Sequence, residues 1–428
     1  MDSKNLILYR NFEHAEILDG MERLMEAGQS GEKADSGLLA ECAGRLLSFA
    51  SEYGFEGNLW YCYLAFLLAS NENAFSTACE IVGAVDSSIN AFASHDLEIF
   101  KEWFDWDWST IGDEDIFALL SCYQAPGTKS KVFNERVRDR ISELAKTLSA
   151  AKDAQALLTG VIQFYKDCGV GKFGLHKAFR VTEDDNQVRI EPITNVEHVY
   201  LDELVGYELQ KAKLIENTEA FVEGRAANNV LLYGDAGTGK SSSIKAILNH
   251  YYGRGLRIIE VYKHQFRDLG EIIDQIKDRN YKFIIYMDDL SFEDYELEYK
   301  YLKAVIEGGL SKKPQNVLIY ATSNRRHLIR EKFSDKRESQ DDLHGNDTVQ
   351  EKLSLVSRFG VTIYFGAPSK KEFENIVRIL AEKHQVFMPE DELYLEANRW
   401  EMSHGGLSGR TAAQFITYLL GKGTDSEE

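Results

Sequence analysis

The spacing of apolar positions divides the chain into a helical first part and a second part in which strands and helices alternate. Up to about residue 178, apolar residues recur three and four positions apart, for example in 40–51, 59–70 and 133–146, which predicts amphipathic helices. We therefore expect an all-α domain over residues 1–178. This part of the sequence contains no repeat and no catalytic motif, so it does not indicate what the domain does.

The pattern changes near residue 179. Apolar and polar residues alternate over 179–193 around a polar turn, which predicts a β-hairpin, and we assign 179–200 to a hairpin linker. The alternation of strands and helices that follows is typical of βαβ units, so we expect an α/β domain with a parallel sheet over 201–368 and a C-terminal helical lid over 369–428. The predicted strands of this sheet are 230–233, 256–261, 283–287, 317–321 and 361–365.

The most specific motif lies directly after the first of these strands. Residues 234–241 read GDAGTGKS and fit G-x-x-x-x-G-K-[ST] at every fixed position, between an apolar strand and a helix. Its glycines allow successive backbone N–H groups to point inward and hold phosphate oxygens, and the helix that begins near Lys240 adds the positive end of its dipole. A chance glycine-rich turn need not combine these features, so the segment predicts a nucleoside triphosphate site.

Each position of this loop has an expected role. Lys240 would reach the β- and γ-phosphates, and the Ser241 hydroxyl would bind Mg²⁺. The predicted nucleotide contacts of the loop are Gly234, Asp235, Ala236, Gly237, Thr238, Gly239, Lys240, Ser241 and Ser242.

A pair of carboxylates ends the strand 283–287. The carboxyl ends of parallel strands line the ligand crevice, so we expect Asp288 to hold Mg²⁺ opposite Ser241 and Asp289 to orient the attacking water. Before the phosphate loop, Val205 and Gly206 could form an apolar slot for the base together with the next residue. A helix that only packs on the sheet explains that segment equally well.

Composition narrows the possible partners and the compartment. The net charge of −20 over 428 residues argues against a general nucleic-acid binder, which needs a basic surface. The five cysteines form no C-x-x-C pair, which favours reduced thiols over a disulfide framework or a zinc site. No signal-peptide pattern and no apolar run of about 20 residues occurs, so we expect a soluble, cytoplasmic protein without membrane contact.

An acidic, aromatic segment, WFDWDW at 103–108, stands out in the helical part. Ring packing in the helical core explains it best. A partner-docking surface is the alternative, because exposed tryptophans anchor interfaces.

The order of elements and the motifs resemble the AAA-plus (AAA+) ATPases, and among them a bacterial group of ATP-binding proteins of unknown function. The resemblance covers about 196–420 and is carried by GDAGTGKS, by MDDLSF at 287–292 and by IYATSNRRHLI at 319–329. It implies a sheet of strand order 5-1-4-3-2, counted from the strand before the phosphate loop. It also implies ATP and Mg²⁺ as cofactors and a homo-oligomer, possibly a ring. The preference for ATP rests on this resemblance alone, because no N-K-x-D motif occurs.

The resemblance assigns roles to three more residues. Asn324 matches sensor 1, which holds the water or the γ-phosphate, although an Asn after a strand is also an ordinary turn residue. Arg358 matches the arginine finger that a neighbouring subunit inserts, with a surface ion pair as the alternative. Arg410 matches sensor 2 in the lid, and Arg325 and Arg326 are possible substitutes for either arginine.

One residue departs from the family pattern. Most AAA+ proteins carry Glu where this chain has Asp289, whose side chain is one methylene shorter, so its carboxylate lies further from the water. Hydrolysis could therefore be slow or require a rearrangement on partner binding, and Glu293 could assist. We expect a Mg²⁺-dependent ATPase that remodels an unidentified macromolecule and binds a protein partner through residues 1–178. The alternative is an ATP-dependent binding switch with negligible hydrolysis. A small-molecule kinase has less support, because no acceptor site is visible in the sequence.

Overall fold

The computed structural model describes residues 2–30, 35–84, 86–108, 114–125, 135–184, 187–194, 196–292, 298–307, 314–324 and 355–422. Within it, the chain forms two compact units. The first comprises Met1–Lys177 and Pro192–Asn195, and the second comprises Ala178–Glu191 and Val196–Glu428.

The first unit is helical, as the spacing of apolar positions predicts. Its helices are α1 (Ala15–Gln29), α2 (Ser36–Tyr53), α3 (Leu59–Ser70), α4 (Ala74–Val82), α5 (Ile89–Phe104), α6 (Glu114–Ser121), α7 (Glu135–Ser149), α8 (Ala154–Cys168) and α9 (Gly171–Leu175). Nearly every residue of α3 is buried, which places this apolar helix in the core of the unit. The expected ring packing of the tryptophan segment is confirmed, because Trp103 is fully buried and Trp108 stacks on Phe117.

A buried carboxylate fixes the start of the chain to this helical core. Asp96 on α5 is fully buried and accepts the backbone N–H groups of Ile7, Leu8 and Tyr9 at 2.8, 2.7 and 3.1 Å. Because a buried carboxylate without donors is costly, these bonds specify how the N-terminal segment packs.

The second unit contains one seven-stranded sheet. The strands are β1 (Ala178–Asp184), β2 (Gln187–Pro192), β3 (Val230–Gly234), β4 (Leu256–Glu260), β5 (Lys282–Met287), β6 (Val317–Ser323) and β7 (Val361–Phe365). Their order is β2-β1-β4-β5-β6-β3-β7, and the pairs from β4 to β7 are parallel. Counted from β3, the last five strands follow 5-1-4-3-2, so the predicted order is confirmed. All seven residues of β6 are buried, as expected for a parallel sheet covered on both faces.

The hairpin that sequence analysis treats as a linker belongs to this sheet. Strand β1 pairs in parallel with β4, with Phe179 opposite Ile259, and Phe179 and Ile190 are buried. The pairing satisfies backbone groups that β4 would otherwise expose at the edge of the sheet. Alternating polarity predicts the hairpin itself, but pairing with β4 is a long-range contact that this local pattern does not show.

Helices cover the sheet and form the lid. The helices around the sheet are α10 (Glu208–Val222), α11 (Lys240–Tyr251), α12 (Leu269–Ile276) and α13 (Glu298–Glu307), and those of the lid are α14 (Lys370–Lys383), α15 (Glu390–Ser403) and α16 (Gly409–Gly421). The predicted capping box of α14 is present between Ser369 and Glu372. The three lid helices share an apolar core that includes Phe373, Val377 and Phe415.

Helix α10 and the residue before it cover the free edge of β7. The side chains of Tyr207, Gln210 and Lys213, three positions apart, donate to the carbonyl oxygens of Gly366, Tyr364 and Thr362, two positions apart. The carbonyls of the edge strand are thereby bonded by side chains. This pairing also places the segment before α10 next to the phosphate loop.

Candidate nucleotide-binding site

The phosphate loop connects β3 to α11 in a strained, glycine-dependent conformation. Gly234 has φ 133°, and a Cβ atom there would lie 2.1 Å from the Phe365 carbonyl oxygen. Gly239 precedes α11 with φ 89°, in the left-handed region. The Asp235 N–H donates to the Phe365 carbonyl at 2.9 Å, which fixes the loop to the end of β7. Such a glycine-rich turn before a helix is suited to phosphate binding.

Lys240 lies inside this loop. Its side chain is nearly buried, and Nζ donates to the carbonyl oxygens of Gly234 at 3.1 Å and Asp235 at 2.5 Å. Burial lowers the pKa of the Lys240 ammonium, and the carboxylates of Asp235, Asp289 and Asp288 oppose that change. A cation is therefore held where the predicted phosphates would bind.

Asp288 and Ser241 come together, as their predicted shared role requires. The Ser241 hydroxyl donates to Asp288 Oδ1 at 2.8 Å, and the hydroxyls of Tyr286 and Thr322 donate to the same oxygen at 2.7 and 2.5 Å. Burial raises the pKa of the Asp288 carboxyl, but these hydrogen bonds outweigh burial and leave the pKa below its usual value. The group is an ionised carboxylate beside a serine hydroxyl.

Asp289 and Asn324 also lie together. Asp289 has φ 49°, a left-handed backbone that Asp tolerates better than most residues. Its N–H donates to Thr322 Oγ1 at 2.9 Å, and its Oδ1 accepts from Asn324 Nδ2 at 2.8 Å. The residues expected to orient water and to sense the γ-phosphate thus form one hydrogen-bonded group.

The lid meets the phosphate loop at the start of α16. The Arg410 N–H donates to the Gly237 carbonyl at 3.1 Å. A Cβ atom on Gly237 would lie 2.9 Å from Ser408 Oγ, so the absence of a side chain there permits the contact. Arg410, the predicted sensor 2, therefore faces the loop from the lid.

These groups line one cavity of about 620 Å³. Val205 and Gly206 line it as predicted, and Val205 also packs against the lid core. Ile376 and Leu380 of α14 add apolar surface. The predicted site residues that line the cavity are Val205, Gly206, Ala236, Gly237, Thr238, Gly239, Lys240, Ser241, Ser242, Asp288, Asp289, Asn324 and Arg410.

Arg358 does not line this cavity. It follows the segment 355–357 and forms an ion pair with Glu307 at the end of α13, as in the alternative interpretation of this residue. A residue that acts on a neighbouring subunit would not line its own site, so the finger role stays a prediction. Glu293, Arg325 and Arg326 lie outside the described residues.

Sequence reasoning did not identify Tyr286, Thr322, Ile376 and Leu380. Sequence features could have indicated two of them. Side chains two positions apart on a strand share a face, which puts Tyr286 beside Asp288. Thr322 lies near the carboxyl end of a parallel strand, as the other site residues do. The pairing of Met287 with Ala321 then brings Thr322 next to Asp288. The two lid residues had no such signal, because their contribution depends on how the lid packs.

The donor set fits a magnesium ion bound together with phosphates. Mg²⁺ prefers oxygen ligands and is usually held by one or two carboxylates and by the phosphates of its substrate. Ser241 and Asp288 supply such oxygens beside the phosphate loop. Within the described ranges, no group of three or more His, Cys, Asp or Glu residues could hold a metal ion by itself.

The strand order, the phosphate loop after β3, the acidic end of β5 and the helical lid define a P-loop nucleotide-binding domain of the AAA+ type. The chain belongs to the family described as "Protein of unknown function (DUF815)", whose model matches residues 174–423.

Two solved structures illustrate the likeness to known proteins. Thermotoga maritima RuvB, described as a Holliday junction branch migration motor, is 17% identical with a TM-score of 0.37, and the match covers 52% of this chain and 64% of that chain. The AAA domain of FIGL-1 in complex with ADP is 17% identical with a TM-score of 0.36, and the match covers 53% and 74%. No curated protein matches this chain. The fold class rests on the topology of the chain itself.

Among the residues that the structure describes, no helix has both the length and the apolar character needed to cross a membrane.

Proposed function

We propose that this protein is a Mg²⁺-dependent ATPase that couples ATP hydrolysis to the remodelling of a macromolecular partner. The observation that carries the proposal is the 2.8 Å contact between Ser241 Oγ and the ionised Asp288 carboxylate, beside a glycine-rich phosphate loop. A serine hydroxyl and a strand-end aspartate in this arrangement are the protein ligands of Mg²⁺ in P-loop nucleotide hydrolases.

The residues of the loop bind the triphosphate. Backbone N–H groups of 236–241 and the Lys240 ammonium hold phosphate oxygens, while Val205 and Leu380 bury the base. A Mg²⁺ ion held by Ser241 and Asp288 would neutralise charge on the phosphates.

The hydrogen-bonded pair of Asp289 and Asn324 acts on the water. Asp289 Oδ1 already accepts from Asn324 Nδ2 at 2.8 Å, so the amide fixes the direction of the carboxylate. The carboxylate accepts a hydrogen bond from the water and aligns it with the γ-phosphorus, which is a positioning effect rather than covalent catalysis.

The lid transmits the state of the nucleotide. Arg410 faces the phosphate loop and its backbone N–H bonds to Gly237, so loss of the γ-phosphate changes a charge next to the start of α16. Arg358 completes the site of a neighbouring subunit in a homo-oligomer. The net charge of −20 favours a protein over a nucleic acid as the remodelled partner.

A second candidate is a binding switch that holds ATP and hydrolyses it negligibly. One observation favours it: Asp289, which stands where a longer Glu is usual, is also held by Asn324. Phosphate release by the wild type and by Asp289→Glu separates the two functions. We expect turnover by the wild type; activity that appears only in Asp289→Glu would favour the switch.

Parallel binding measurements complete this test. Mg²⁺-ATP should bind to the wild type and to Asp289→Asn with similar affinity, because Asp289 acts on the water. A wild type that binds no nucleotide would overturn both candidates.

A further inference from the structure

Three hydroxyl groups donate hydrogen bonds to the Asp288 carboxylate, and only one of them, that of Ser241, belongs to a predicted metal ligand. Its Oδ1 accepts from Ser241 on α11, from Tyr286 on β5 and from Thr322 on β6. Both Tyr286 and Thr322 are largely buried, at 6% and 2% exposure, so water competes little for these bonds.

The direction of the bonds at Thr322 is determined by its neighbours. The Asp289 N–H can only donate, so Thr322 Oγ1 accepts this bond and its single hydrogen points to Asp288 Oδ1. One threonine hydroxyl therefore connects the backbone of the second acid to the carboxylate of the first.

The strands do not need this hydroxyl in order to pair. Ladder pairing joins β5 to β6 along 283–287, and the Leu290 N–H donates to the Thr322 carbonyl at 2.7 Å. These backbone bonds do not involve the Thr322 hydroxyl, which accepts from the Asp289 N–H and donates to Asp288.

We propose that Tyr286 and Thr322 are positioning residues that fix the Asp288 carboxylate for the divalent cation of the bound nucleotide. The inference rests on the proposed function, and it names two residues that the phosphate-loop motif does not include. Ser241 is itself a predicted ligand of the cation, so its hydroxyl has a role in metal binding besides its bond to Asp288. Tyr286 and Thr322 are not ligands and hold Asp288 in either state.

Binding of Mn²⁺, a paramagnetic substitute for Mg²⁺, tests the proposal without turnover. Mn²⁺ is titrated by electron paramagnetic resonance into the full chain with a non-hydrolysable ATP analogue. Loss of a hydroxyl that orients a metal ligand typically weakens metal binding about 10–100-fold, so we expect about a tenfold loss or more in Thr322→Val and in Tyr286→Phe. Affinity for the analogue in EDTA should be unchanged in both.

Two further variants separate positioning from structure. Thr322→Ser keeps the hydroxyl and should restore Mn²⁺ binding. Tyr320→Phe removes another buried tyrosine hydroxyl from β6, one that bonds to Thr218 and Asn217 instead of Asp288, and should leave Mn²⁺ binding unchanged.

The outcomes are distinct. If the wild type retains Mn²⁺ with the analogue but Thr322→Val and Tyr286→Phe stay within about twofold of it, this inference fails and the proposed function stands. The inference also fails if Thr322→Val and Tyr286→Phe weaken binding of the analogue equally with Mn²⁺ and in EDTA, and if Thr322→Ser does not restore it. That result would indicate a structural role for the two residues. If the wild type retains no Mn²⁺ with the analogue, the inference and the proposed function fail together. If Thr322→Val does not fold, Tyr286→Phe decides.

Discussion

At the scale of single residues, the buried ammonium of Lys240 and the ionised Asp288 define the electrostatics of the cavity. Lys240 donates hydrogen bonds to two carbonyl oxygens of the loop, and one oxygen of Asp288 accepts hydrogen bonds from three hydroxyl groups. Neither group forms an ion pair among the described contacts. Both charges are therefore held by neutral hydrogen-bond partners, which leaves them available to a charged ligand.

Replacement of Lys240 by Ala should weaken nucleotide binding. Charge-assisted hydrogen bonds contribute about 1.5–3 kcal/mol each, so we expect ATP affinity to fall by about 10–100-fold or more in a calorimetric titration. Lys245→Ala is the control, because this lysine lies on the same helix, is exposed and pairs with Glu197. Equal affinities of the two variants would contradict the assignment.

The phosphate loop and Asp288 could be predicted from the sequence because each is a local pattern next to an apolar strand. Thr322 and Tyr286 act through strand register, and a motif search does not contain that information. Asp289 illustrates the same limit. Its identity could be read, but its left-handed φ of 49° and its bond to Asn324 follow from the turn that β6 imposes.

At the scale of elements, the site depends on where three strands end and where one helix begins. Strands β3, β5 and β6 deliver the loop, the acids and Asn324 at one edge of the sheet, and α16 closes the loop from the lid. The alternation of strands and helices specifies βαβ units but not the order of the strands in the sheet. That order could be predicted only from the resemblance to AAA+ proteins. The pairing of β1 with β4 could not be predicted from the sequence, because it is a long-range contact.

Gly237→Ala should loosen the lid from the phosphate loop. The new Cβ would lie 2.9 Å from Ser408 Oγ, so the start of α16 must shift, and hydrogen exchange in its first turn should accelerate. Gly405→Ala is a matched control, because its φ of 97° imposes similar backbone strain while nothing lies within 4 Å. Equal exchange in the two variants would show that the contact does not hold the lid.

Asp96→Ala should release the N-terminal segment from the helical core. Three backbone N–H groups lose a charged acceptor, worth about 3 kcal/mol or more in total, so exchange of the amides of Ile7, Leu8 and Tyr9 should rise by about 100-fold or more. Asp139→Ala removes an exposed aspartate from α7 and serves as the control. Unchanged protection at 7–9 would mean that Asp96 contributes little.

At the scale of the whole molecule, the position of Arg358 bears on assembly. Its guanidinium pairs with Glu307 away from the cavity of its own subunit. An arginine at the equivalent of a finger position contributes only when a second copy places it against a phosphate, so activity would require an oligomer. The sequence suggested this role by resemblance, and a single chain cannot display it.

Mixing two inactive variants tests the role of Arg358. Arg358→Ala should bind ATP normally but lose about 10³-fold or more in turnover, and Asp289→Asn should lose turnover through its own site. Mixed oligomers contain sites with an intact Asp289 beside an intact Arg358, so the mixture should regain phosphate release. No recovery in demonstrably mixed oligomers would contradict action between subunits, and loss of ATP binding by Arg358→Ala would contradict the finger.

Mg²⁺-dependent ATP hydrolysis at the site of Lys240 and Asp288 is tested most directly by phosphate release from ATP as Mg²⁺ is titrated. The measurement compares the full-length wild type with Lys240→Ala and Asp288→Asn. We expect Mg²⁺-dependent phosphate release by the wild type, which EDTA abolishes and which both variants lose. Release that persists in both variants, or a wild type that neither binds nor hydrolyses ATP at any Mg²⁺ concentration, would contradict it.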